Sequence, residues 1–402
     1  MSTTTAPPRY IFPLLAAITF IAPLANHMFL PAMPVVKEDF GIGNELAFAT
    51  LSLTMMTMAF ATLVYGGLAD QWGRKRVLLG GLVLYTIGAT VCWFAPDIWT
   101  LLAGRILQGA GAGYGIVLAR AIARDVYGMD RISSVIANLT AAYVLGPLIA
   151  PTVGGFLVAW EGWRFLFLAT AGIGLILIAA VRFRLPETHH PEPHHENLFD
   201  IISGTLRNYG VLMRVPRFNS YALMPGFLSG TFFSLATASS FLARESLGVS
   251  TEEFGLWFLF LPVGFMAGNL TSGQIGNRAS IGFMTLGGTI LNLLVVVSLW
   301  TAHEILGLSM LLMVIPGFML GIAQGMCMPY SQGGAMQVNT SLAGSASGAV
   351  VFCQLFFASV GEQAVGLMAD GTLYPVMLVM FGFAVAAVIA AIFAAINRPR
   401  EG

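Results

Sequence analysis

Charge is what this 402-residue chain has least of: Asp, Glu, Lys and Arg make up only 9% of it. That leaves too little polar surface to coat a water-soluble globule of this length, so a soluble fold is excluded. Lysine is nearly missing, with Lys37 and Lys75 alone, and no GxxxxGK[ST] phosphate loop occurs, which disfavours an ATP-driven pump. An intramembrane enzyme, the alternative from another class, would need a paired acid, a metal cluster or a nucleophile with its base. Neither HExxH nor GxSxG is present. The three cysteines, Cys92, Cys327 and Cys353, lie inside apolar runs without the paired spacing of a metal site or disulfide framework, and read as small core residues. No metal or cofactor is expected. Alternation of apolar and polar residues over about ten positions is lacking too, which excludes a membrane barrel. A net charge of zero names no partner, and nucleic acid is not expected.

What the chain does have is apolar residues, 57% of the total. A bilayer core of about 30 Å takes about 20 of them per helix. Twelve runs of that kind fall near 10–34, 46–69, 77–95, 98–122, 133–159, 164–184, 217–243, 254–273, 279–301, 305–330, 344–369 and 373–397. The expected fold is therefore all-α and integral to the membrane. The polar start leads into a run too long for a signal-peptide core, so the first helix is expected to stay.

With the N-terminus inside, 15 basic residues collect on cytoplasmic segments, among them Arg9, Arg131, Arg398 and Arg400. Only Lys37, Arg105, Arg164 and Arg244, 4 in all, are left for the other side or the membrane. This bias places both termini in the cytoplasm and agrees with an even helix count.

The longest break, 185–216, divides a six-helix half at 1–184 from another at 217–402. Within it Leu198, Ile201, Ile202, Thr205, Leu206, Tyr209, Leu212 and Met213 recur at helical spacing, as in an amphipathic helix lying on the membrane surface. Its histidines His189, His190, His194 and His195 read as a solvated linker before a weak metal site. A faint repeat, Gly66, Leu68 and Asp70 against Gly273, Ile275 and Asn277, suggests duplicated halves with the solute path between them.

The break GGLADQWGRKR at 66–76 combines small residues, an acid at a helix end, a turn glycine and three cations. Gly66 and Gly67 would let the second helix approach a neighbour, and Asp70 can accept from the positive N-terminus of a facing helix, with Gly73 and Arg74 in the turn beyond. This segment resembles the loop signature of the major facilitator superfamily. The resemblance implies two pseudo-symmetric six-helix bundles and a facing helix that is the eleventh, starting near Leu342. That contact would lock the halves on the cytoplasmic side and break when the protein opens inward.

RILQGAGAG in the fourth helix places Arg105 about 10 Å below the outer end at 1.5 Å per residue, where it needs a partner or a wet cavity. In the fifth helix LGPLIAPTVGGFL supplies Gly146, Pro147, Pro151, Gly154 and Gly155, for a kinked helix packed tightly against the other half. Its pattern resembles that of superfamily antiporters. ARAIARDVYG, with Arg124 and Asp125, and LPAMP at 30–34 narrow the resemblance to the twelve-helix drug:proton antiporters of bicyclomycin and chloramphenicol resistance type. Members of that group usually carry an aspartate just before MFLPAMP, and here the position reads His27.

His27 and Glu362, each about seven residues from an outer end, are expected at the depth of Arg105; RILQGAGAG resembles the superfamily's fourth-helix motif, which implies a part for Arg105 in proton movement, and these three are the proton-coupling candidates. The resemblance implies a cavity lined by helices 1, 4, 7 and 10, which offers Asn26, His27, Tyr114, Phe233, Gln324 and Tyr330. Such a wall suits a lipophilic or amphiphilic solute. The reading is a monomeric secondary transporter of the inner (plasma) membrane, with protons as coupling ion and small-molecule drugs as substrates. Export of one endogenous metabolite or metallophore is the alternative.

Overall fold

The computed structural model describes residues 8, 10–189 and 198–397. Arg9, His190, His194, His195, Arg398 and Arg400 fall outside the described residues, as do the side chains of Arg131, Leu198, Ile201, Ile202 and Asn277. Among the described residues twelve helices are long and apolar enough to cross a membrane. Spans 1 to 6 are Ile11–Phe40, Asn44–Trp72, Arg74–Trp93, Ile98–Gly128, Ser134–Glu161 and Arg164–Arg184. Spans 7 to 12 are Pro216–Ser246, Thr251–Ile275, Ile281–Leu306, Met310–Val338, Thr340–Met368 and Tyr374–Ile396. Between the halves lies a linker helix, Leu198–Met213. Its Tyr209 and Leu212 are buried against the ends of spans 7 and 11, while Leu206 and Met213, expected on the same apolar face, are exposed.

Local chemistry sets the ends. Asp97, Ser250, Ser280 and Ser309 each accept from a backbone N–H three residues on, capping spans 4, 8, 9 and 10. Gly73 and Gly128 take φ of +91° and +68°, values that L side chains rarely adopt, where spans 2 and 4 end. LPAMP does not end span 1 as expected. Pro31 and Pro34 occupy the first turns of a 3-10 helix at Leu30–Ala32 and of Met33–Phe40, where no N–H is required, so the chain continues to Phe40.

Span 1 packs on span 5, span 2 on span 4, and span 3 on spans 4 and 6. Span 7 packs on span 11, span 8 on span 10, and span 9 on spans 10 and 12: the same pairs moved on by six. Two pseudo-symmetric six-helix bundles result. Spans 8 and 10 approach through Gly264, Gly268, Gly321 and Gly325, each of which would put an added Cβ into the facing backbone.

The halves meet through spans 2 and 11 and through spans 5 and 8. The described chain ends and the linker share one face of the molecule, here the terminal face; the opposite one is the far face. All cross-half hydrogen bonds and ion pairs between described residues lie toward the far face. Ser359 Oγ donates to Ser52 O at 2.7 Å, Ser52 Oγ to Gln363 Oε1 at 2.6 Å, and Thr152 Oγ1 to Gly255 O at 2.7 Å.

The fifth-helix glycines divide their labour, against the expectation that all pack on the other half. Gly146 lies against Pro23 and Gly154 against the Met28 carbonyl, both on span 1 of the same half. Gly155 alone abuts the Thr251 carbonyl of span 8, while Pro151 O receives Gly255. The reason is angular: consecutive residues point about 100° apart around a helix. Gly155→Leu is therefore expected to part the far-face seam with the fold intact, and Gly154→Leu to destabilise the N-terminal bundle itself. Reagent labelling of Phe48→Cys, buried at the seam, should rise in the first variant, and the melting temperature should fall further in the second. Equal behaviour of the two would refute the division.

Candidate functional site

Arg105 is 0% exposed, seven residues from the start of span 4 as expected. Its Nε donates to Thr50 O at 2.9 Å, Nη1 to Gln108 Oε1 at 2.7 Å and Nη2 to Asn26 Oδ1 at 3.1 Å. The guanidinium carbon stands 4.8 Å from the Phe29 ring centroid. Every acceptor is neutral, and no carboxylate comes within ion-pair distance among the described residues. Burying a charge this way is tolerable only because spans 1, 2 and 4 all turn oxygens toward it.

Across the interface Glu362 is also 0% exposed. Thr237 Oγ1 donates to its Oε1 at 2.9 Å, and Oε2 has no partner among the described residues. Span 2 links Arg105 to the helix of Glu362: its Thr50 holds the arginine, and its Ser52 joins Ser359 and Gln363 on either side of the acid. His27 completes the layer. Its Nδ1 lies 2.7 Å from Pro23 O, a carbonyl that can only accept, so Nδ1 carries hydrogen and Nε2 is left as the ring's other polar atom. The His27 ring packs on Phe233 of span 7 at 5.6 Å between centroids. His27 does not sit as near the end of its helix as expected, because span 1 runs on to Phe40. Asn26, His27, Arg105, Phe233 and Glu362 thus gather in one layer where the halves meet.

Three cavity candidates lie elsewhere. Tyr114 is buried within the N-terminal bundle beside Gly81 and edge-on to Tyr65 at 6.1 Å. Gln324 Nε2 donates to Ser229 Oγ at 2.9 Å, inside the other bundle. Tyr330 Oη donates to Gly276 O at 2.5 Å, closing the end of span 8. Gln324 and Tyr330 are satisfied by neighbours in their own bundle, while Tyr114 Oη has no partner among the described residues, which residue type alone does not reveal.

The gate residues assemble at the terminal face within one half. Arg74 is buried and bridges Asp70 Oδ1 at 2.7 Å and Asp125 Oδ2 at 3.3 Å, with Arg124 at 4.0 Å from Asp125. Asp70 does not meet the start of span 11 in this conformation: its side chain is 61% exposed, and the arginine one turn on has claimed it. Gly66 makes only an ordinary contact, 3.8 Å to Val117, not the close approach expected. Glu187, which the motif reading missed, accepts from the Lys75 N–H at 3.2 Å with its carboxylate packed over Gly73. An acid just beyond span 6 was its signal, since a carboxylate suits the positive start of span 3.

At the far face Lys37 pairs with Glu245 at 2.6 Å, and Arg244 with Glu38 at 2.9 Å. These are basic-acidic dipeptides at matching ends of spans 1 and 7, paired crosswise, a symmetry legible once the halves are aligned. Phe48 stacks on Phe241 at 4.7 Å beneath them.

Two bundles of spanning helices, joined across a buried polar layer and latched at one face, define a membrane transporter, and a multi-pass membrane protein. The family model described as Major Facilitator Superfamily matches residues 15–362, and the chain belongs to that family. It is 27% identical over 396 residues to the uncharacterized MFS-type transporter YdgK of Bacillus subtilis, covering 97% of this chain and 96% of that one. It is 26% identical to the chloramphenicol resistance protein of Pseudomonas aeruginosa, over 91% of this chain and 86% of that one. A solved bacterial homolog of the lysosomal transporter Spinster, inward-facing and unoccupied, superposes with a TM-score of 0.71 at 16% identity, covering 96% and 94%.

Among the described residues Thr237 is the sole hydrogen-bond donor to Glu362, so Thr237→Val should cost about 1–3 kcal/mol and lower the melting temperature. In a Glu362→Met background that cost should largely vanish, a coupling that a double-mutant cycle measures. Additive losses would show that the bond contributes nothing.

Proposed function

We propose that the chain exports lipophilic or amphiphilic drug-like molecules by alternating access, driven by protons that Glu362 carries. The observation that carries this reading is the Glu362 carboxyl, fully buried at the seam with one oxygen on a hydroxyl and the other on nothing. An ionised carboxylate closed into such a place would face a penalty of several kcal/mol. A protonated carboxyl would not, so the far-face seam closes once a proton is bound.

The basic residues crowd the terminal face, which we take as cytoplasmic, with the protein in the inner membrane. The conformation then faces inward. A proton bound from outside permits closure, and water and solute arriving from the cytoplasm release it, with the Arg105 charge favouring departure. One proton entering down about 100 mV supplies about 2.3 kcal/mol, against about 1.4 kcal/mol for a tenfold gradient of a neutral solute. One proton per cycle in a single copy of the chain is sufficient. The name of the chloramphenicol resistance protein supports drug export as the direction.

In vesicles with an imposed proton gradient, Glu362→Gln is expected to abolish concentrative transport of the exported drug while downhill exchange continues. Concentration at the wild-type level would remove Glu362 from the role and move it to His27. When the cytoplasmic face closes, Asp70 turns to the start of span 11. Asp70→Asn should accordingly insert and fold normally yet export at a small fraction of the wild-type rate; full export would exclude that gate.

A further inference from the structure

Four acidic or basic side chains lie six or more residues inside a described span: His27, Arg105, Arg120 and Glu362. Glu362 is engaged with Thr237, and His27 with Pro23 and Phe233. Arg105 is held by neutral oxygens alone, and the neighbouring Gln108 Nε2, 2% exposed, has a hydrogen and no acceptor. Arg120 repeats the pattern deeper toward the terminal face. Half-buried on span 4, it donates through Nη2 to Thr140 Oγ1 at 3.3 Å, while its Nε has no acceptor. Neither arginine has a carboxylate within ion-pair distance among the described residues.

Span 4 therefore presents two cations in sequence, Arg105 beside the unpaired Gln108 Nε2 and Arg120 with its own Nε unpaired among the described residues, and the one embedded acid belongs to the opposite half. In a low-dielectric passage a fixed charge without a counter-ion repels its own sign over several ångströms and favours the opposite one. From this we infer that the exported solute is an amphiphile carrying a carboxylate or similar oxyanion, met first by Arg120 and then drawn toward Arg105, and that lipophilic cations are poor substrates. The inference rests on the export reading only in naming what is exported. It also agrees with the energetics, since an anion leaving and a proton entering both move with an inside-negative potential. An arginine fork matches a carboxylate in a way that a hydroxyl-bearing wall does not.

The test uses the purified full chain and two dyes on one xanthene scaffold, anionic fluorescein and cationic rhodamine 123, titrated by fluorescence anisotropy. Fluorescein is expected to bind at least about tenfold tighter, and Arg120→Gln to weaken it by about tenfold, the scale of one charge-assisted hydrogen bond. Arg120→Lys should keep most of the preference, and Arg207→Gln on the linker helix should change neither dye. Equal or tighter binding of rhodamine 123 overturns the inference, as does a preference that survives Arg120→Gln. Loss in Arg120→Lys as severe as in Arg120→Gln would mark a packing role and overturn it too. Dye efflux from cells tests export separately: fluorescein bound but never moved would sink the export reading and leave the charge preference standing.

Discussion

Arg105 is wholly buried, and a backbone carbonyl of span 2 and amide oxygens of spans 1 and 4 must all stay in place to hold it. Leaving such a cation unsatisfied in a membrane interior costs several kcal/mol, so those spans are bound to one another more firmly than apolar packing alone would bind them. Helix packing in a bilayer draws little on the hydrophobic effect, because lipid tails are as apolar as the side chains they would replace. The polar layer therefore anchors the N-terminal bundle, and span 2 carries its position to the seam, where Ser52 meets Ser359 and Gln363.

The seam itself is built to part. Its exposed ion pairs at Lys37 and Arg244 are each worth about 0–1 kcal/mol, and the Phe48 and Phe241 stack about 0.5–1.5 kcal/mol more. Close backbone approach at Gly155 and Gly255 adds dispersion contacts without side chains that would have to interlock. A set of small terms can be exchanged for another set at the opposite face, which an alternating mechanism requires. At the terminal face Arg74 is committed to two acids of its own half, with Glu187 seated over the start of span 3, so that half moves as a unit.

Much of this was legible beforehand. The twelve spans follow from apolar runs that each segment carries by itself. Asp70, Arg74, Arg124 and Asp125 come together at the terminal face, which their motifs did not announce, since Asp70 was expected at the start of span 11. Cavity residues were less legible. Tyr114, Gln324 and Tyr330 lie on helices expected to line the path, yet all three are turned into their own bundles by neighbours distant in sequence.

The sequence by itself determined that the chain lives in a membrane, how often it crosses, and which residues are too costly to bury without a purpose. Those are properties of composition and of a helix taken alone, measured against a bilayer of known thickness. Only the tertiary structure decided that Thr237 donates to Glu362, that Arg105 and Arg120 have no carboxylate within ion-pair distance among the described residues, and that Gly154 and Gly155 serve different interfaces. Each of these depends on the rotation of one helix against another. A shift of one residue turns a side chain by about 100°, a change that leaves apolar periodicity nearly untouched and alters every partner it has.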